Sequence, residues 1–426
     1  MRPLQLQRLH LAILSGIALV IAGYLFVLHE QLVEHPWIAP LHPIWSEVGG
    51  ITGQKLTPSA SIAHNQPAYA LGAPLAAILA LVSGIVVGCD RVRAHQALRA
   101  MAWSGAAYAI YGIVSFVVFP GKILWRQKQA YLTDVTGTFV NRNTAAAYFG
   151  SCAVVWLLLL CDAVRQNLPP GPIEWSTFSE RVLSHTPKRV IIACALLFVC
   201  LAAMFMTGSR GGVVLSLLML VVAFALSFRR DFSHLSTRMA AIAVALVIVF
   251  MLLQIMGAGV NARFNVNDLA SEGRLETYRS TLRMIADYPW FGTGLGTFAL
   301  SYPAYRGDRI PVLGVWDRAH STPLELAAEV GLPLAGAIVV GWLIIFAVLI
   351  RGLIIRRRDA VIPLAGLLVG LLGNLHSTID FSLQTPGYAL VVFAVVGVGL
   401  AQSVRRGLAK TQADEKVHKS ASATDG

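Results

Sequence analysis

GAGVNARFNVNDLASEGRLETYRSTLRMIADYPWFGTGLGTFALSYPAYRGDRIPVLGVWDRAHSTPLELAAEVGL, residues Gly257–Leu332, is the polar stretch that decides the architecture. It separates two apolar runs, Met239–Met256 and Pro333–Ile350. A membrane-spanning helix needs about 20 mostly apolar residues, and both runs approach that length. The pattern therefore predicts a large loop, held by spanning helices at one face of a membrane. The loop is rich in basic side chains: Arg263, Arg274, Arg279, Arg283, Arg306, Arg309, Arg318 and His320.

The composition of the whole chain is also that of a membrane protein. Hydrophobic residues make up 56% of the sequence and charged residues 13%, whereas soluble domains carry about 25% charged residues. The net charge of +12 does not indicate a nucleic-acid partner, because much of it lies in short clusters beside apolar runs, such as those at Arg91, Arg229 and Arg356. This is the positive-inside pattern, and it predicts which loops are cytoplasmic.

We predict an all-α, polytopic membrane bundle of about ten transmembrane helices with a large helical periplasmic loop. Residues 1–403 form one transmembrane domain with the loop at 257–332, and residues 404–426 are a disordered cytoplasmic tail. An even number of spans puts both termini on the same side, and the basic clusters make that side cytoplasmic. The five cysteines lie in or beside apolar runs and are expected to be core residues. The predicted spans are Leu11–His29, Leu71–Cys89, Ala100–Phe119, Thr144–Val164, Val190–Met206, Val213–Phe228, Met239–Met256, Pro333–Ile350, Ala360–His376 and Gly387–Ser403.

Two helices are predicted inside the long loop. Ser271 is a suitable N-cap for a helix from Glu272 to about Ala286. A second helix is expected to begin near Thr322, with Thr322 and Glu325 as a capping box and Pro323 at the first helical position. Gly331 is expected to end it.

Several polar residues near the predicted outer boundary are candidates for chemistry. Arg210, in TGSRGG, lies between two spans, where it either binds a ligand or extends toward lipid headgroups. The planar guanidinium of Arg274 matches phosphate oxygens, and Arg279 either adds to that site or pairs with acidic neighbours on a solvated helix. A neutral imidazole at His320 can take a proton from a sugar hydroxyl near pH 7, unless it only supports the following helix cap.

Two further groups leave alternatives open. His376 and Asp380, in HSTIDFSLQTP, orient His320, bind an acceptor, or form a structural turn. The predicted outside segment Pro120–Asn143, with Arg126 and Arg142, breaks the positive-inside rule. Its cations bind either an anionic ligand or lipid headgroups. The sequence contains no HExxH, GxSxG or Walker A motif, so we expect no metal site, no serine nucleophile and no ATP.

Four segments in order resemble the O-antigen ligase and Wzy-type polymerase superfamily, membrane glycosyltransferases that use polyprenyl-diphosphate-linked glycans. The segments are GTFVNRNTAAAYF (137–149), TGSRGG (207–212), the long loop with its AHSTPLELAAEVGLP end, and HSTIDFSLQTP (376–386). The resemblance implies a fold like that of GT-C-type integral-membrane glycosyltransferases and a site facing the periplasm at the bacterial inner membrane. By position it also implies that Arg210 and Arg274 hold the diphosphate and that His320 activates the acceptor.

From these observations we expect an inverting glycosyltransferase that moves a glycan from undecaprenyl diphosphate to a hydroxyl of lipid A-core or of another glycan. Its partners would be the lipid-linked glycan, the acceptor and membrane lipids, and no cofactor is expected. The four segments do not separate a ligase from a repeat-unit or exopolysaccharide polymerase. A transporter of lipid-linked glycan is a third alternative, although the paired, broken half-repeats typical of transporters are not apparent.

Overall fold

The structure, a computed structural model, describes residues 8–167, 187–228, 264–308, 310, 316–356 and 360–404, with the backbone alone for 264–272. The described chain is helical apart from one two-stranded hairpin, in which Lys122 pairs with Gln127. The helices are α1 (Arg8–Leu32), α2 (Ile44–Thr52), α3 (Gln66–Ala70), α4 (Gly72–Gly88), α5 (Arg91–Val118), α6 (Arg142–Asn167), α7 (Lys188–Met206), α8 (Arg210–Ser227), α9 (Phe264–Asp287), α10 (Phe298–Ser301), α11 (Thr322–Val330), α12 (Leu332–Ile355), α13 (Val361–Ser377) and α14 (Pro386–Val404); the strands are β1 (Lys122–Ile123) and β2 (Arg126–Gln127).

The prediction of a polytopic membrane bundle is confirmed. Within the described residues, eight helices are long and apolar enough to cross a membrane, and α13 is a shorter apolar helix where a ninth span was predicted. Helices suit a bilayer because they satisfy their own backbone hydrogen bonds. The predicted span Met239–Met256 lies outside the described residues, as does the tail from residue 405 onward.

Helix α6 lies at the centre of the bundle. In the most apolar 18-residue stretch of α6, 83% of the chain is buried. The corresponding fraction is 17% for α12, which lies at the edge of the bundle. The buried face of α6 begins with the small residues Ala145, Ala146 and Ala147, so neighbouring helices approach it closely. The polar site described below lies at the N-terminal end of this central helix.

Helices α4 and α14 make the closest backbone contact in the bundle. A Cβ atom at Gly84 would overlap the carbonyl oxygen of Ala394, and one at Gly397 would overlap that of Leu81. Only glycine permits this approach, which is the small-residue packing common between membrane helices.

The long loop folds on its own core. Met284 of α9, Phe298 and Tyr302 pack with Ala328 of α11 in one buried cluster. One buried side chain, Gln31 of α1, makes three hydrogen bonds that join this unit to the bundle. Its amide donates to the carbonyls of Phe291 (2.6 Å) and Glu329 (2.8 Å), and its oxygen accepts from the Leu295 N–H (3.0 Å).

One of the two predicted helix starts in the loop is wrong, and the other is confirmed with a different cap. Helix α9 begins at Phe264, so Ser271 lies inside it and does not cap it. Helix α11 spans Thr322–Val330 and is followed by Gly331, as predicted, but its N-cap is Ser321.

The predicted capping box is therefore wrong. The Glu325 carboxylate instead accepts from the Ala319 N–H (2.7 Å) and from Arg318 (3.1 Å). The Glu325 carboxylate pairs with Arg318 and does not bond to the N-cap backbone, because a hydrogen bond from a charged donor is the stronger one.

Candidate functional site

His320 lies in the turn that leads into α11, in a strained backbone conformation. Its φ is +54°, a region that non-glycine residues seldom adopt. The Tyr278 hydroxyl on α9 donates to the His320 carbonyl at 2.9 Å and holds this turn. The ring centroid lies 5.8 Å from that of Trp316 and 5.4 Å from that of Phe381. A quarter of the side chain remains exposed, so the imidazole is fixed between aromatic rings yet accessible.

Asp380 faces this imidazole from the segment after α13. Its Oδ1 lies 3.7 Å from His320 Nδ1, a separation at which an ion pair forms when the ring is protonated. The carboxylate is buried and also accepts from the Phe381 N–H at 2.7 Å and from the Asn143 side-chain amide. Burial raises the pKa of Asp380, but His320 and the Phe381 N–H outweigh burial and hold that pKa below its usual value. Asp380 is therefore an anion positioned to stabilise an imidazolium.

Arg274 lies on α9, one helical turn before Tyr278, and is half-buried. Burial raises the pKa of the Tyr278 phenol, while Arg274 lowers it and Asp380 adds to the rise. The Arg274 and Asp380 charges thus both act on the tyrosine that holds His320. The structure brings together Arg274, His320 and Asp380, which come from three separate parts of the sequence.

A second cation, Arg142, begins α6 beside this group. Its Nη1 donates to the Asp134 carboxylate at 2.7 Å, and its guanidinium lies 5.2 Å from the centre of the Tyr131 ring. Burial raises the pKa of Tyr131, Asp380 adds to the rise, and Arg142 and Arg274 oppose it. Both arginines therefore act on the Tyr131 phenol, and the backbone of Tyr131 is also strained, with φ +58°.

The TGSRGG turn packs directly on the segment that carries Asp380. Arg210 is the first residue of α8 and is exposed, and Ser209 caps the helix through the Gly212 N–H at 3.4 Å. A Cβ atom at Gly212 would lie 3.4 Å from His376 Nε2, and one at Gly211 would lie 2.8 Å from Ile379. The turn that bears Arg210 therefore adjoins the wall formed by residues 376–380.

Three other predicted site residues have different surroundings. His376 is buried, and its Nδ1 lies 2.7 Å from Ser382 Oγ, so it holds the α13 turn together. Arg279 is exposed and its Nη1 lies 3.3 Å from Glu276 Oε2. Arg126 is exposed on β2. No contact in the described residues brings Arg126 or Arg279 to the group around His320.

Three site residues were not expected from the sequence: Tyr131, Asn143 and Tyr278. Asn143 lies in the segment GTFVNRNTAAAYF, which carries the family resemblance. Its position in that segment was the one sequence feature that pointed to the site.

This geometry defines a class: a multi-pass helical membrane protein whose polar site combines guanidinium groups, an imidazole and a buried carboxylate at one end of the bundle. Residues 195–339 match the family model described as O-antigen ligase. This match supports the O-antigen ligase and Wzy superfamily of membrane glycosyltransferases, the family that the sequence resembles. The matched region contains Arg210, Arg274 and His320, and Asp380 lies beyond it. A search of curated proteins gave no match.

Proposed function

We propose that the protein transfers a glycan from undecaprenyl diphosphate to an acceptor hydroxyl, on lipid A-core or on another glycan, at the periplasmic face of the inner membrane. The observation that carries this proposal is the convergence of Arg274, His320 and Asp380 beside the Arg210 turn. The site thus has cations for a departing diphosphate and, within the same group, a base for an incoming alcohol.

The reaction would proceed by direct displacement. The acceptor hydroxyl loses its proton to His320, its oxygen bonds to the anomeric carbon, and the bond from that carbon to the diphosphate breaks. Arg274 and Arg210 stabilise the negative charge that develops on the leaving diphosphate, and preorganised charges of this kind contribute strongly to transition-state stabilisation. One displacement inverts the anomeric configuration.

Asp380 would act on His320 rather than on substrate. Its anion lies 3.7 Å from the ring, so it stabilises the imidazolium formed when the proton arrives. Arg142 would add positive charge near the diphosphate while it stays paired with Asp134. We assign to His376 the role of positioning Asp380. The chemistry needs no metal ion, so activity should persist in EDTA.

The decisive experiment uses full-length protein in nanodiscs with an undecaprenyl-diphosphate glycan and candidate acceptors. We expect release of undecaprenyl diphosphate together with a new glycosidic bond. A single attachment to lipid A-core identifies a ligase, and a ladder of joined repeats identifies a polymerase. Unchanged glycan that has moved across the bilayer would establish transport and refute the proposed chemistry.

Residue roles are tested with matched substitutions. Arg274→Gln and His320→Gln should lower turnover by roughly 100-fold or more, the usual effect of removing one transition-state contact. Arg279→Gln on the same helix and His35→Gln in an exposed loop are the controls and should retain activity. Full turnover in folded Arg274→Gln or His320→Gln protein would exclude that residue's role.

A further inference from the structure

The hairpin that follows α5 has an apolar tip. Strands β1 and β2 pair antiparallel through Ile123 and Arg126, which leaves Leu124 and Trp125 at the turn. Leu124 is 49% exposed and Trp125 is 81% exposed. Two large apolar side chains at the end of a projecting hairpin are costly in water, so the tip needs an apolar environment.

The tip folds back along α5 instead of extending away from it. The Leu124 N–H donates to the Tyr111 hydroxyl at 2.7 Å, and Ser115 Oγ donates to the Lys122 carbonyl at 3.4 Å. Tyr111 lies about two turns before the end of α5, roughly 10 Å along the axis at 1.5 Å per residue. Helical side chains tilt toward the N-terminus of their helix, which carries the tyrosine hydroxyl further in the same direction.

The end of α5 beside the hairpin is itself a lipid-facing surface. Val114, Val117, Val118 and Phe119 are all more than half exposed, on a helix that is long and apolar enough to span the membrane. A hairpin tip that returns along this surface therefore lies at the depth of the boundary between headgroups and acyl chains.

The tip is held there under strain. Leu124 has φ +53°, which is an outlier for a bulky aliphatic residue. Such strain persists only where surrounding contacts enforce it, and it concentrates at functional segments. Here the hydrogen bond from Leu124 to Tyr111 enforces it.

Cations flank the apolar tip on both strands. The Lys122 ammonium lies 5.8 Å from the Phe119 ring centre, and Arg126 is exposed on β2. Tryptophan with neighbouring lysine and arginine is the combination enriched at membrane–water interfaces, where basic side chains attract anionic headgroups.

We propose that the hairpin Lys122–Gln127 anchors the protein in the leaflet nearest the site, with Leu124 and Trp125 among the lipids and Lys122 and Arg126 bound to anionic phospholipid headgroups. This favours headgroup contact over diphosphate binding for Arg126, and it holds whatever reaction the site performs. Lys128, directly after the hairpin, donates to the Asp134 carbonyl at 3.0 Å, and Asp134 pairs with Arg142. The anchor is thus connected to the site by a short chain of polar contacts.

The test uses full-length protein in nanodiscs. The emission of Trp125 is obtained as the difference between the wild type and Trp125→Phe. We expect nitroxide-labelled lipid to quench this emission strongly and aqueous acrylamide to quench it weakly. The reverse result, acrylamide quenching without lipid quenching, would show that the tip lies in water and would overturn the proposal.

Headgroup binding is tested separately. Labelled phosphatidylglycerol should quench Trp125 more than labelled phosphatidylcholine does. The double substitution Lys122→Gln with Arg126→Gln should remove this preference. Each charge removed is expected to lower it by about fivefold. Arg279→Gln with Arg283→Gln, which removes two charges from exposed positions on α9, is the control and should retain it. A preference that survives the double substitution would refute headgroup binding by these cations.

Discussion

Asp380→Asn is the substitution that most directly tests how the site works. It keeps the size of the side chain and removes the negative charge 3.7 Å from His320 Nδ1. At that distance and an effective dielectric constant near 20, two unit charges interact by about 4 kcal/mol. Because a quarter of the His320 side chain is exposed, solvent screens part of this attraction. We therefore expect a loss of roughly 3 kcal/mol, or about 100-fold in turnover.

The assay is single-turnover release of undecaprenyl diphosphate in nanodiscs. Without the carboxylate, the imidazolium that forms when His320 takes the proton is less stable, so turnover should fall. Asp287→Asn is the matched control, because that carboxylate accepts a hydrogen bond from Tyr305 at the far end of α9. Folded Asp380→Asn protein with turnover within threefold of wild type would refute the assigned role.

Tyr278→Phe removes the hydrogen bond to the His320 carbonyl, and we expect turnover to fall by about fivefold, corresponding to about 1 kcal/mol. Gly84→Val forces a side chain into the backbone of α14 and should destabilise the protein by about 1–3 kcal/mol, measured as a lower Tm. Burial raises the pKa of Glu329 to about 8, so its neutral form stabilises the fold. That contribution is complete below the unfolded pKa and is lost as pH rises through 8. Thermal unfolding of Glu329→Gln should therefore show a smaller loss of stability between pH 5 and 8 than the wild type shows.

Each of these three substitutions has a control substitution that should have no effect. Tyr305→Phe removes a phenol outside the site, and equal losses in Tyr278→Phe and Tyr305→Phe would contradict a specific effect on His320. Gly16→Val is made where no atom lies within 4 Å of the added Cβ, so a comparable fall in Tm there would remove the packing argument for Gly84. Glu34→Gln alters an exposed carboxylate just after α1. If Glu34→Gln and Glu329→Gln flatten the pH dependence equally, burial of Glu329 is not its cause.

The spanning helices were predictable because length and apolarity nearly suffice to define them. The start of α9 and the cap of α11 were not, because capping preferences amount to about 1 kcal/mol and tertiary contacts outweigh them. Glu325 shows this most clearly: an ion pair with Arg318 displaced the expected capping box.

Within the site, residue chemistry indicated Arg274, His320 and Asp380, but it did not separate Arg274 from Arg279. Those two arginines are five residues apart, which is about 140° around a helix, and so they face different surroundings. Tyr131 escaped prediction for another reason. Its place in the site depends on a left-handed backbone conformation and on partners distant in the chain, and neither feature leaves a local sequence pattern.

The contact between Gly84 and Gly397 has a consequence for biosynthesis. Helix α4 emerges from the ribosome early, while its partner α14 is among the last segments to be made. Until then the glycine groove of α4 can face only lipid or other helices that do not fit it. A chain that stops before Pro386 would leave this groove exposed, together with one side of α13, to whatever quality-control protease monitors the membrane. Completion of the bundle therefore waits for α14, and a chain that carries every candidate site residue but lacks this helix would still lack the contact between α4 and α14.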